Sequence, residues 1–156
     1  AASTSAWDPI LCLSISDEYN ERRWHLVKAR LATTRSALGS TPLHFAVLGQ
    51  NCDTLEFILH NWEDVNVKND YWETPLHWAC RVGFVEGARR LLSAGASCFA
   101  LDSEDNTPLH WAAQHDQPEI VKLLLIHGAS TKQRNEEHKT PLDLAKAYEN
   151  KKCVAL

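Results

Sequence analysis

The strongest constraint on this chain is a phrase that returns at a fixed step. Thr41-Pro42-Leu43-His44, Thr74-Pro75-Leu76-His77, Thr107-Pro108-Leu109-His110 and Thr140-Pro141-Leu142-Asp143 each begin 33 residues after the one before. A constant step with no insertion means one supersecondary unit stacked on its own copies. Each word of the phrase has a physical role. Thr is a favoured helix N-cap, its hydroxyl satisfying an orphan N–H of the first turn. Pro at the next position loses no hydrogen bond and presets φ for the helix. Leu43, Leu76, Leu109 and Leu142 open an apolar stripe, which Ala46, Ala79, Ala112 and Ala145 continue three residues on. The small Ala side chain lets a second helix approach. That helix is plainest at 119–126, with weaker copies at 53–59 and 86–92. Gly95 and Gly128 follow where a helix C-terminus favours a left-handed residue. The segments 66–73, 99–106 and 132–139 then return the chain as extended, turn-rich fingers.

Phrase and period together resemble the ankyrin repeat, matched most fully at 74–79 and 107–112, and the resemblance covers 41–156. It implies an all-α ankyrin-repeat solenoid of stacked helix-turn-helix units with β-turn or hairpin fingers. The 33-residue ruler divides one domain into a degenerate N-terminal capping repeat (1–40), three repeats (41–73, 74–106, 107–139) and the start of a capping or truncated repeat (140–156). In such a stack no repeat is expected to be stable alone. The resemblance also gives His44, His77 and His110 a structural role, hydrogen bonding at the loop and the first helical turn. It implies a protein-interaction module.

Bulk properties narrow the function. The formal charge of −4 argues against a general nucleic-acid binder. No apolar run of about 18 residues is present to span a membrane, and no charged-then-apolar signal opens the chain. The start at Ala1-Ala2 and the lack of Met suggest a trimmed fragment of a longer protein, expected to be a monomer as such. The cysteines, Cys12, Cys52, Cys80, Cys98 and Cys153, are odd in number and never spaced C-x-x-C. They read as reduced thiols of a cytoplasmic or nuclear protein rather than metal ligands. No phosphate loop, nucleophile elbow or metal helix occurs. His25, His60, His115, His127 and His138 are scattered. The expectation is therefore no catalysis, no cofactor and no metal.

The two ends are less regular. Ile10, Leu11 and Leu13 fit one short helix and 19–32 a second, with Trp24, Leu26, Val27 and Leu31 apolar. Arg22, Arg23, Lys28, Arg30 and Arg35 make that region basic, a solvated cap face or a docking patch. At the other end Cys153-Val154-Ala155-Leu156, behind Lys151-Lys152, fits a prenylation signal. The ruler instead places these four on Ile120, Val121, Lys122 and Leu123, so ordinary helix is expected.

Specificity is sought on the concave face, built from the first helices and the fingers. Trp78 lies about 200° round its helix from Leu76 and so points away from the paired helix. Phe45, Trp78, Trp111 and Leu144 share one position and should form a ladder, as core or as contact surface. Arg81 and His115 flank it. Tyr71 and Trp72 sit at a finger tip where the family more often has Gly, and large aromatics are enriched at binding hot spots. Acidic residues surround them: Asp53, Glu56, Glu63, Asp64, Asp70 and Glu73, then Asp102, Glu104 and Asp105 beside Asn106, with Lys68 the one base from 53 to 73. An acidic rim suits a partner protein or peptide carrying Lys or Arg. The partner-binding candidates are thus Tyr71, Trp72, Glu73, Trp78, Arg81, Glu104, Asp105, Asn106, Trp111 and His115. Asn66, after Asp64-Val65, resembles the asparagine that asparaginyl hydroxylases modify in ankyrin segments. Alternatives to a free-standing interaction module are a regulatory domain of a larger enzyme, such as an acyltransferase, and a C-terminally prenylated adaptor.

Three departures from the pattern carry expectations of their own. Trp62 replaces the helix-ending Gly, so Asn61 should turn left-handed. Gly87-Ala88 replace Ile120-Val121 and should loosen that outer helix. Asp116 replaces a small residue and should alter its loop.

Overall fold

The computed structural model describes residues 35–61 and 64–156. Among them the helices are α1 (Pro42–Leu48), α2 (Cys52–Asn61), α3 (Pro75–Val82), α4 (Val85–Ser93), α5 (Pro108–Gln114), α6 (Pro118–Ile126), α7 (Pro141–Ala147) and α8 (Lys151–Val154). No strand occurs among the described residues. The expected N-terminal helices, the basic face from Arg22 to Arg30 and Trp62 lie outside them.

Odd-numbered helices pack on one another in chain order as an inner layer, and each even-numbered helix covers its own inner partner. The Thr-Pro start performs as its chemistry requires. Thr74, Thr107 and Thr140 accept the backbone N–H three residues on, each with Pro at the first helical position. Leu43, Leu76 and Leu109 are buried, together with Leu55, Ile58, Leu91, Ile120 and Leu124 from the outer helices. Leu142 departs from the expected stripe and is 44% exposed. It lies at the open end of the stack, beside a cavity of about 680 Å³ shared with Leu109 and Leu156, where no described unit covers it.

Two series of left-handed positions run the length of the described stack, and the 33-step ruler locates both. At the turn between paired helices stand Gln50 (φ 52°), Gly83 (77°), Asp116 (53°) and Glu149 (57°). At the finger tips stand Gly39 (74°), Trp72 (62°), Asp105 (61°) and His138 (61°). Asp116 therefore keeps the loop of its neighbours instead of altering it, because stacking on both sides dictates the backbone path. Gly95 and Gly128 are left-handed after α4 and α6, as expected. Asn61 is not left-handed. It stays in the last turn of α2, where its Nδ2 donates to the Phe57 carbonyl at 2.7 Å. Nor is α4 left with a gap at Gly87. The Phe84 ring lies where a Gly87 Cβ would stand, 2.2 Å from that point, so an aromatic from the preceding turn fills the space of the missing side chain.

Candidate protein-interaction surface

Each finger is built round one short polar side chain. The Asn69 Oδ1 accepts the N–H groups of Tyr71 and Glu73, each at 3.0 Å. Asp102 does the same for Glu104 and Asn106, and Asn135 for Glu137 and Lys139. Ser36 receives Leu38 and Ser40 in the same way. Such side-chain-to-backbone turns hold the tip without a strand ladder. Adjacent fingers join by single backbone bonds, from Asp70 to Leu38, Ser103 to Tyr71 and Glu136 to Glu104. Asn69, Asp102 and Asn135 also keep the 33-residue step, a signal that the repeat phrase overshadows.

The three buried histidines are joints between each inner helix and the finger that follows it. His44, His77 and His110 each accept the N–H of their own Thr at Nδ1. The ring proton is therefore on Nε2, which donates to the carbonyl of Glu73, Asn106 or Lys139 in the following finger. Burial pushes His44 down from 6.5 to about 4, and pushes His77 and His110 down as well. A neutral, doubly bonded imidazole is well suited to bridging. Asp143 repeats only the first half of this arrangement, its Oδ2 accepting Thr140 N–H at 3.0 Å.

Between the inner helices and the fingers lies a groove of about 460 Å³, lined by Phe45, Leu48, Tyr71, Glu73, Trp78 and Arg81 among others. Its floor is organised. Trp78 meets His44 and Phe45 edge-on, at 5.0 and 5.8 Å between centroids, and its Nε1 donates to the Glu73 carboxylate at 3.2 Å. Trp111 meets His77 edge-on at 6.0 Å, stacks on His115 at 5.7 Å, and donates from Nε1 to Asp102 at 2.8 Å. The first rung of the expected ladder, Phe45–Trp78, is present. Above it the pattern changes: Trp111 pairs with two histidines, and Leu144 is buried. Both indoles are half-buried and tied down, so they form walls rather than protruding anchors. Arg81 is exposed and enters no ion pair among the described residues.

Tyr71 and Trp72 do not act as one patch. Tyr71 lines the concave groove, whereas Trp72 lines a separate crevice of about 580 Å³ with Lys68, Phe99, Ser103 and Asp105. The left-handed backbone at Trp72 parts the two side chains. Glu104 and Asp105 are exposed on the next tip. Asn106 is buried and fully engaged: its carbonyl receives His77, its N–H goes to Asp102, and its Oδ1 accepts from Asn135. It belongs to the joint and not to the surface. Sequence reasoning missed Phe99, which stands where other repeats carry Asn66 and Lys132. That mismatch in the ruler was the available signal.

Asn66 bridges to the next repeat, its Oδ1 accepting Ser97 N–H at 2.7 Å and its Nδ2 donating to the Gly95 carbonyl at 3.4 Å. Cys153 is 6% exposed in α8, with its Sγ 3.7 Å from Asp116 Oδ1. It packs as the helix register requires.

A family model described as ankyrin repeats (three copies) matches at residues 11–102, 43–135 and 97–156. The chain belongs to the ankyrin repeat family. Curated relatives agree at moderate identity. The ankyrin stack is 38% identical over 76 residues to the B-cell lymphoma 3 protein homolog of Mus musculus, covering 46% of this chain and 17% of that protein. It is 36% identical over 69 residues to protein phosphatase 1 regulatory subunit 27 of Homo sapiens, covering 44% of each. A Caenorhabditis elegans homolog of the transient receptor potential cation channel subfamily A member 1 matches at 34% over 67 residues, covering 43% of this chain and 6% of that protein. The ankyrin stack thus spans less than half the length of these relatives. Ankyrin repeats generally mediate protein–protein interaction. No helix among the described residues is long and apolar enough to cross a membrane.

Proposed function

We propose that this ankyrin stack is a non-catalytic interaction module that holds a partner protein or peptide between its inner helices and its fingers. The observation that carries the reading is the concave groove. It combines a half-exposed Tyr71, a fixed Trp78 wall, an exposed Arg81 and the Glu73 carboxylate in one cavity of about 460 Å³. Apolar area with a few convergent polar groups is what a binding cleft requires. Trp111 and His115 extend the surface one repeat along, and Glu104 and Asp105 extend it over the next tip. The acidic fingers favour partners bearing Lys or Arg. The odd number of cysteines, none spaced C-x-x-C, favours a cytoplasmic or nuclear setting.

Affinity capture from the native cell with Tyr71→Ala and Arg81→Glu variants tests this. Loss of one shared partner in both variants, with circular dichroism unchanged, is the expected result. Retention of every partner by both variants would overturn it. The match to a protein named as a phosphatase regulatory subunit favours a second reading, in which the stack regulates an enzyme. Asn66 remains the proposed hydroxylation site, and mass spectrometry of native protein would show an added oxygen there.

A further inference from the structure

We propose that the crevice between the first two acidic fingers is a subsite for an arginine side chain of an extended partner segment, and that Lys68 is its built-in stand-in. The proposal rests on the fingers being the binding surface, and it adds a site apart from the concave groove, with its own chemistry.

Four observations converge. First, Trp72 is 60% exposed while held at φ 62°, where Gly39 stands in the finger before it. A bulky residue in the left-handed region costs stability that Gly would not, and its ring is nonetheless left on the surface. Second, Phe99 lines the same crevice and is 61% exposed, so two large aromatic faces share one cleft. Third, the fingers at 66–73 and 99–106 carry Asp70, Glu73, Asp102, Glu104 and Asp105 against Lys68 alone. Glu73 and Asp102 are engaged by the indoles of Trp78 and Trp111. Asp70, Glu104 and Asp105 enter no ion pair among the described residues. Fourth, the Lys68 ammonium is itself in no such pair. It lies 5.0 Å from the centroid of the Trp72 ring. In two fingers otherwise acidic, the one amine rests on the indole face.

A ring face that already holds a cation will accept another. A guanidinium fits better than the ammonium, because it is planar, stacks on indole, is weakly hydrated and forks onto a carboxylate. Asp105 lines the crevice from the adjacent tip and supplies that carboxylate. An incoming arginine therefore displaces Lys68 from Trp72 and pairs with Asp105. A segment rich in Asp or Glu is repelled by the same fingers, so the site selects by charge as well as shape.

The test is a titration of the 156-residue chain with acetyl-Gly-Arg-Gly-amide, and with acetyl-Gly-Glu-Gly-amide as control, followed by nitrogen–proton correlation spectra. The Trp72 indole signal is assigned by its absence from Trp72→Gly, a variant whose backbone suits this turn and whose fold should persist. A saturable shift of that signal with the arginine peptide only, weakening as salt rises, is the expected result. Lys68→Gln should tighten binding about two- to fivefold by removing the competitor. Asp105→Asn, which tolerates the left-handed turn, should weaken it by a similar factor. An unmoved Trp72 signal, or Lys68→Gln binding no tighter than the parent, overturns the proposal. Should the peptide instead shift the Trp78 indole and lose its effect in Tyr71→Ala, the crevice assignment falls and the concave groove stands. Native partners that survive both Tyr71→Ala and Trp72→Gly would remove the fingers as the binding surface altogether.

Discussion

Mild acid should loosen the histidine joints between inner helices and fingers, and His44 allows the size of the effect to be worked out. Its ring is needed neutral, because Nδ1 accepts the Thr41 N–H while Nε2 donates to the Glu73 carbonyl. Burial, with the Arg35 charge adding to it, takes its pKa in the folded chain from 6.5 to about 4, against the partial opposition of the Glu73 hydrogen bond. A lowered histidine pKa means that the unfolded chain binds the proton first. The stabilising contribution is thus whole above about pH 6.5 and is lost as pH falls toward 4. Each unit within that window removes about 1.4 kcal/mol, so roughly 2 kcal/mol has gone by pH 5 from this residue alone. His77 and His110 shift in the same direction, and burial is again the leading cause. Ordinary carboxylates titrate near pH 4 and lie mostly below the window. Asp143, held below the usual carboxylate range by the Thr140 backbone bond, loses its contribution lower still. Urea unfolding followed by circular dichroism at pH 7, 6 and 5 should show a falling midpoint. His44→Gln should be weaker at pH 7 yet depend less steeply on pH. A midpoint flat from pH 7 to 5, or an undiminished slope in the variant, would refute the reasoning.

Three further substitutions test the packing and the backbone. Gly87→Ala ought to help a helix by about 1 kcal/mol, but its Cβ would stand 2.2 Å from the Phe84 ring, and overpacking costs about 1–3 kcal/mol. A net loss is expected in thermal melts, relieved when Phe84→Leu is added; a more stable single variant would show that the ring yields easily. Glu149→Gly should raise stability by about 1 kcal/mol through relief of its left-handed backbone at φ 57°. Asp116→Gly should gain less, because it also removes the contact with Cys153 Sγ; a fall in melting temperature for Glu149→Gly would mean that the turn carries no such strain.

The fold was legible because Thr-Pro-Leu-His is local chemistry repeated. A cap, a preset φ and an apolar stripe each act within one turn, and a constant step says that the turns stack. The joint at His44, His77 and His110 was legible for the same reason. What escaped is what depends on a neighbour. Gly87 reads as a gap until Phe84 is seen to fill it, and Asp116 reads as a loop change until the stack is seen to impose the path. Tyr71 and Trp72 are adjacent letters, and a left-handed φ sends them to different cavities, which shows only once the neighbouring finger is in place. Phe99 showed only as a mismatch against Asn66 and Lys132, and Asn106 read as a contact residue until its carbonyl, N–H and Oδ1 were seen to be engaged.

The histidine joint grips its own Thr, through both amide and hydroxyl, and a main-chain carbonyl at the end of the finger that follows. It is therefore indifferent to what side chains a finger carries at its tip. Tips are interchangeable parts on a common fitting. The Tyr71-Trp72 tip could be moved one register along, onto the position of Glu104-Asp105, and the stack would close around it as before. In a chain assembled this way two letters at a tip can be exchanged while every joint beneath stays the same.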